Sequence, residues 1–199
     1  MATARAEHTA ARRQEMLAAY YDVLVDEGLQ GASLAKVARR LDVPPSLLIH
    51  YFGTKEQMTI ELVDFLLEKY RRGYGDRLAA IADPLERLTA ILDTLFDPEY
   101  HQLLDDSVFY ACFYLSLRNP TVRAQFATLH YASRELLETT LRECMAAGHL
   151  PPDDVRELAQ LIQTLEEGYA LVIGGVAAGD DRQALGAMVK RRARGMLGL

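Results

Sequence analysis

Apolar positions along the chain recur at three- and four-residue spacing and do not alternate with period two, so the pattern predicts helix after helix and no sheet. Met16, Tyr20 and Leu24, with Leu17, Tyr21 and Val25 beside them, form one face of a first helix. It is expected from about Thr9, an N-cap, to Glu27, with Gly28 as its stop. Ser33 is placed to cap a short helix, Leu34 to Arg40; Asp42 falls in a turn, and Pro44-Pro45 opens a third helix ending near Phe52. Thr54 with Gln57 three residues later is a capping box for a long fourth helix, about 55–74. Asp83-Pro84-Leu85-Glu86 then signals a fifth start, and Asp97-Pro98, Asn119-Pro120, Gly148, Pro151-Pro152-Asp153 and Asp180-Asp181 punctuate the remainder of the chain. Five helices are expected there, ending before Asp97 and near Arg118, Ala147, Gly174 and Leu197, which makes an all-α chain of nine helices.

Composition agrees with a packed globule: 50% of the residues are hydrophobic and 25% charged, with 13 Gly and 7 Pro. The longest apolar run, Tyr169 to Ala178, is too short for a bilayer, and Asp22 interrupts the stretch after Arg12-Arg13 that could pass for a leader. Cys112 and Cys144 sit in separate apolar patterns with no CxxC, so a reducing, cytoplasmic setting is expected, with no membrane, disulfide or structural zinc.

Charge first argues against a polyanionic partner, since the chain carries −6. Residues 1–55, however, hold seven Lys/Arg against six Asp/Glu, while the remainder holds 15 against 22. Binding a polyanion requires local cations, not a basic whole, so this asymmetry permits nucleic-acid binding.

The stretch from Ser33 to Lys55 carries the most information. Two short helices across a three-residue turn make a helix-turn-helix, whose second helix enters the major groove of DNA. Leu34, Val37, Ala38, Leu41, Val43, Leu47 and Leu48 are spaced to form the packed wedge between them. Pro45, Ser46, His50 and Tyr51 remain outward, the side on which Ile49 falls is left open by the spacing, and Leu47 and Ile49 join them as candidate DNA contacts. His50, Tyr51 and Ser46 can donate to phosphates or base edges; Ser33, Lys36 and Arg39 can face the backbone, although each also has a plain role as a cap or solvated charge.

The run S-L-A-K-V-A-R-R-L-D-V-P-P-S-L-L-I-H-Y-F-G-T-K-E-Q-M resembles the signature of the TetR family of transcriptional regulators, over about residues 9–60 and most specifically at Tyr51-Phe52 and Thr54-Lys55-Glu56. The resemblance implies a DNA-binding domain at 9–55, a linking fourth helix, and a ligand-binding and dimerisation domain at 75–199. It implies a core role for Phe52, a phosphate contact for Lys55, and backbone or base contacts for His50 and Tyr51. Three positions depart from the family pattern. Asp42 replaces a turn Gly but tolerates left-handed geometry, Pro45 removes a backbone N–H, and Ile49 removes a Tyr hydroxyl.

The larger helical region is expected to sense a small molecule and to form a homodimer. Phe109, Tyr110, Phe113, Tyr114, Glu166 and Tyr169 are the candidate effector contacts; core packing is the default role of each aromatic. Glu166-Glu167 within an apolar helix points to a cationic ligand read by carboxylate and aromatic faces. The P-L-E-R-L and E-E-G-Y layout is similar to the subfamily containing the choline-responsive repressor, which leaves the effector open. Leu161, Leu165, Val172, Gly174, Gly175, Ala187 and Val189 are expected to pair across a two-fold axis. A dimer sets two recognition helices about 34–36 Å apart, on double-stranded DNA with a near-palindromic operator.

Two rival readings compete with this one. A carboxylate-bridged metal enzyme needs Glu-x-x-His, but the residues three before each His are Arg5, Leu47, Pro98, Ala127 and Ala146. With no nucleophile constellation or phosphate loop either, no enzyme, metal or cofactor is expected. A regulator with a solidly packed bundle that only docks proteins is the other, and a ligand cavity would separate the two.

Overall fold

The computed structural model describes residues 2–101, 105–176, 179 and 181–199, and its regular elements are all helical among the described residues. Two expectations, Ala178 as the end of an apolar run and Asp180 as part of a helix start, lie outside them. The chain groups into two units, one of Met1–Lys69 with Ser107–Phe126, the other of Tyr70–Asp106 with Ala127–Leu199.

The first unit opens with α1 (Ala2–Gly31), which begins well before Thr9. At Gly28 the backbone turns left-handed (φ 68°), so the expected stop is a kink followed by one more turn. α2 (Leu34–Arg40) starts at Ser33, whose Oγ accepts from the Lys36 N–H, and α3 (Pro45–Phe52) starts at Pro44. Asp42, at φ 53°, holds the left-handed turn between them. α4 (Lys55–Tyr70) follows, with Thr54 Oγ1 accepting from the Gln57 N–H at 3.1 Å. The core gathers Met16, Tyr20 and Leu24 of α1, Val37 of α2, Leu48 of α3, and Met58 and Leu62 of α4. Tyr20 buries its ring and satisfies its hydroxyl on Thr59 Oγ1 at 2.8 Å, as a buried phenol must.

In the second unit a π-helical turn, Arg71–Gly75, runs into α5 (Asp76–Ala79). Asp83 caps α6 (Pro84–Leu95), accepting from the Glu86 N–H at 2.7 Å, as the sequence predicts. The single helix expected after Pro98 is two: α7 (Pro98–His101), and α8 (Asp106–Ser116), preceded by non-helical Asp105. From Ser107 onward α8 belongs to the first unit, and α9 (Pro120–Ala146) begins in the first and continues in the second. α10 (Val155–Leu171) is capped by Asp154 and passes into a second π-helical turn, Val172–Val176. Asp181 caps α11 (Arg182–Met196). Leu88, Leu92, Leu137, Leu141, Ile162 and Leu197 are the main buried side chains of this unit's core.

Candidate nucleic-acid interface

α2 and α3 meet through the wedge that the apolar spacing predicts. Val37, Ala38 and Leu48 are buried, and Leu34, Leu41, Val43 and Leu47 are half-buried around them. The Val43 N–H donates to the Ala38 carbonyl at 3.0 Å, tying the turn to α2. With Leu48 inward, helical periodicity sends its neighbours out: Pro45, Ser46, Ile49 and His50 are exposed, Ile49 by 53%. Tyr51 is half-buried and packs edge-to-face with His50, ring centres 5.8 Å apart.

The end of α3 is clamped from two other helices. Arg13 of α1 donates through Nη2 to the Tyr51 carbonyl at 2.5 Å and to Glu61 Oε1 of α4 at 3.0 Å. Its guanidinium also lies 5.0 Å from the centre of the Phe52 ring. Phe52 is core, as the resemblance implies. Sequence reading missed Arg13, because it joins positions 38 and 48 residues apart and no local spacing marks it.

Other predicted contacts are held to the protein. Lys55 Nζ donates to the Leu29 carbonyl at 2.6 Å, bracing the last turn of α1; of its three N–H groups this uses one. Lys36 pairs with Glu27 at 2.7 Å, and Arg40 with Asp26 at 2.5 Å and Asp22 at 3.6 Å. These exposed pairs add little stability. Their effect is on charge, since acids of α1 offset two of the cations on α2. Arg39 is exposed and carries no ion pair among the described residues. Ser33 is half-buried and acts as the cap of α2.

The six effector candidates divide between the units. Phe109, Tyr110, Phe113 and Tyr114 belong to the first. There Phe109 and Phe113 both meet Phe126 edge-to-face, at 5.9 and 5.6 Å, and Tyr114 is 53% exposed beneath the Arg118 guanidinium. Glu166 and Tyr169 belong to the second. Tyr169 is a core residue whose hydroxyl donates to the Arg182 carbonyl at 3.3 Å. Glu166 Oε1 lies 3.8 Å from His101 Nδ1, and burial, with Glu167 next to it, pushes its carboxyl up to about 8. His101, unremarkable in the sequence, thus belongs to the polar feature of this unit.

Comparison with known proteins agrees with this geometry. The family model described as "Bacterial regulatory proteins, tetR family" matches residues 17–62, and "Tetracyclin repressor-like, C-terminal domain" matches 83–178. The chain is 28% identical to the HTH-type transcriptional regulator BetI of Rhizobium meliloti over 165 residues, 83% of this chain and 75% of that one. BetI of Burkholderia thailandensis is 29% identical over 177 residues, 87% of this chain and 88% of that one. A TetR transcription regulator from Haloarcula marismortui has the same fold (TM-score 0.82, 17% identity, 95% of this chain and 97% of that one). So does a transcriptional regulator from Saccharomonospora viridis solved in complex with choline (TM-score 0.79, 17% identity, 93% and 96%). Family models over both parts of the chain, the helix-turn-helix that lies within the N-terminal match and the shared all-helical fold place this chain in the TetR family of helix-turn-helix transcriptional regulators.

Proposed function

We propose that the chain is a repressor that binds a near-palindromic operator as a homodimer and changes its operator occupancy when a small effector binds its C-terminal region. The observation that carries the DNA reading is the outward face of α3, where Ser46, Ile49 and His50 are exposed around a buried Leu48. Pro45 and Ser46 occupy the first turn of α3, the end that a recognition helix directs at base edges. Ser46, His50, Tyr51, Arg39 and a remaining Lys55 N–H supply the donors.

The dimer reading is supported by a stripe on α10. Leu161, Thr164, Gly168 and Leu171 are all exposed at three- and four-residue spacing, and Ala187 and Met188 are exposed on α11. Such a stripe on two helices suits an isologous four-helix contact. The effector reading is supported by Glu166, a carboxyl set among aromatic rings in the second unit, and choline is the first compound to try because a fold neighbour was solved with it. Either direction of response requires little energy: about 1.4 kcal/mol of differential affinity changes occupancy tenfold. Cytoplasmic location follows from the role.

Footprinting on the chain's own upstream DNA tests the reading. A protected, two-fold symmetric site bound by two chains supports it; no protection at low salt refutes it.

A further inference from the structure

The outward side of α3 carries two rows of side chains, one apolar and one polar. Pro45 and Ile49, four residues apart, lie one above the other on the helix, and Ser46 and His50 form a parallel row beside them. All four are exposed, while Leu48 and Phe52 on the other side are buried. Ile49 leaves 53% of itself in water. Among the described residues of α2 and α3, it is the large aliphatic side chain that the fold leaves uncovered.

What α3 lacks narrows what Ile49 can do there. Three bases have a side-chain type that suits their major-groove edge: Arg or Lys for guanine, Asn or Gln for adenine, Asp or Glu for cytosine. None of these types occurs in α3, whose residues are Pro-Ser-Leu-Leu-Ile-His-Tyr-Phe. Arg39 is exposed, but it belongs to α2, the helix that crosses the phosphate backbone in this motif. Ser46 and His50 can each donate or accept, so they fit more than one base edge and discriminate weakly. Thymine differs, because its edge carries a methyl group that an apolar side chain meets without a hydrogen bond. The Pro45–Ile49 row is matched to that feature of the groove.

Ile49 is also firmly mounted. Leu48 before it is 0% exposed, and two residues on Arg13 holds the Tyr51 carbonyl at 2.5 Å, with its guanidinium 5.0 Å from the centre of the buried Phe52 ring. Being β-branched, Ile49 keeps to one χ1 rotamer in a helix, so its methyl groups hold a fixed direction. A contact between methyl groups depends on such fixity, since dispersion falls steeply with a small gap.

Resting on the DNA reading above, we infer that Ile49 is a specificity-determining residue that buries the 5-methyl group of one thymine in each operator half-site. Its uncovered surface leaves water against that methyl group, and the O4 acceptor of the same base stays free for a neighbouring donor. Pro45 extends the apolar row by about 6 Å along the helix, toward the end that points at the base edges. Ser46 and His50 add hydrogen bonds that several sequences can satisfy, so they raise affinity more than they select. The methyl contact is what separates thymine from cytosine at this position.

Fluorescence anisotropy of the full chain on footprinted operator duplexes tests the contact, with deoxyuridine replacing thymine at one position at a time, in both half-sites together. Deoxyuridine keeps the O4 acceptor and still pairs with adenine, so it removes the methyl group alone. At one thymine per half-site, wild-type affinity is expected to fall by about tenfold or more, from about fourfold for each methyl group no longer buried. Ile49→Ala is expected to bind the thymine operator at least about tenfold more weakly than wild type and to be indifferent to deoxyuridine at that position. Ile49→Val keeps the branched β-carbon and is expected to retain most of the dependence. His50→Ala is expected to bind more weakly with the methyl dependence intact, and an unchanged urea midpoint for Ile49→Ala places its effect on recognition. If no thymine position responds in the wild type, or if Ile49→Ala responds as the wild type does at every position, the inference is overturned while the footprint keeps the repressor reading in force. Absence of any protected site overturns both.

Discussion

Leu48 and Ile49 are consecutive residues of one short helix, and their substitution separates the fold from the function. Leu48 is 0% exposed and packs α3 against Val37 and Ala38 of α2; Ile49 is 53% exposed. Leu48→Ala removes three buried carbons, worth about 2 kcal/mol in transfer, and leaves a cavity among helices already short of alternatives for closing it. The total expected is about 3 kcal/mol, within the measured range for buried Leu→Ala. Ile49→Ala removes atoms already half in water and is expected to change stability by less than about 0.5 kcal/mol. With a urea slope of about 2–3 kcal/mol/M, Leu48→Ala lowers the midpoint by about 1 M or more, read by circular dichroism at 222 nm. Anisotropy of a labelled operator fragment, taken without urea, supplies the other axis. Ile49→Ala is expected to alter operator affinity at unchanged midpoint. Equal midpoint shifts for the two variants, or a larger one for Ile49→Ala, would refute the orientation of α3 on which everything about DNA depends.

Other expectations are briefer. Arg13→Ala frees the Tyr51 carbonyl and Glu61 and is expected to weaken operator binding by at least about tenfold while lowering the melting temperature by only about a few degrees; Arg13→Lys restores the charge without the fork and is expected not to rescue binding. Gly186→Ala would drive a methyl into the Phe96 carbonyl and to within 2.7 Å of the Tyr169 hydroxyl, so a loss of about 1–3 kcal/mol is expected, while Gly195→Ala on the same helix meets nothing within 4 Å and is expected to be neutral or mildly stabilising by urea titration. The Glu166 carboxyl binds its proton more tightly when folded than unfolded, so its contribution to stability is full below about 4.5 and is lost as pH rises to about 8. Between those limits each pH unit costs about 1.4 kcal/mol, and Glu166→Gln is expected to flatten that slope in melting curves taken across the range.

Much of the DNA-binding end was legible because its signals are local. Ser33, Asp42, Pro44 and Thr54 each act within three residues of themselves, and the wedge residues repeat with the helix period. The caps at Asp83 and Asp181 and the stop at Gly148 were legible for the same reason. The start of α1 was not, since Ala2 to His8 continue a helix with no change in composition that a pattern could detect. Nor were the π-turns, because a single i→i+5 turn is too short to carry a residue signature of its own. Nothing local marks Tyr70 and Tyr74 as neighbours of Tyr100, because only tertiary folding brings these rings together, and no local spacing marks Glu27 as the partner of Lys36 or the Leu29 carbonyl as that of Lys55.

The outward face of α3 can be tested alone, with no assumption about effector or dimer geometry. The measurement is the affinity of wild type and of the His50→Ala, Tyr51→Ala double variant for the footprinted operator, across a salt series. The wild type is expected to bind more weakly as salt rises, with a slope of about −0.9 for each phosphate neutralised. The double variant, folded by circular dichroism, is expected to lose at least about tenfold in affinity and with it the preference for operator over unrelated DNA. Unchanged affinity and preference in that variant would mean that another surface of the protein reads the DNA.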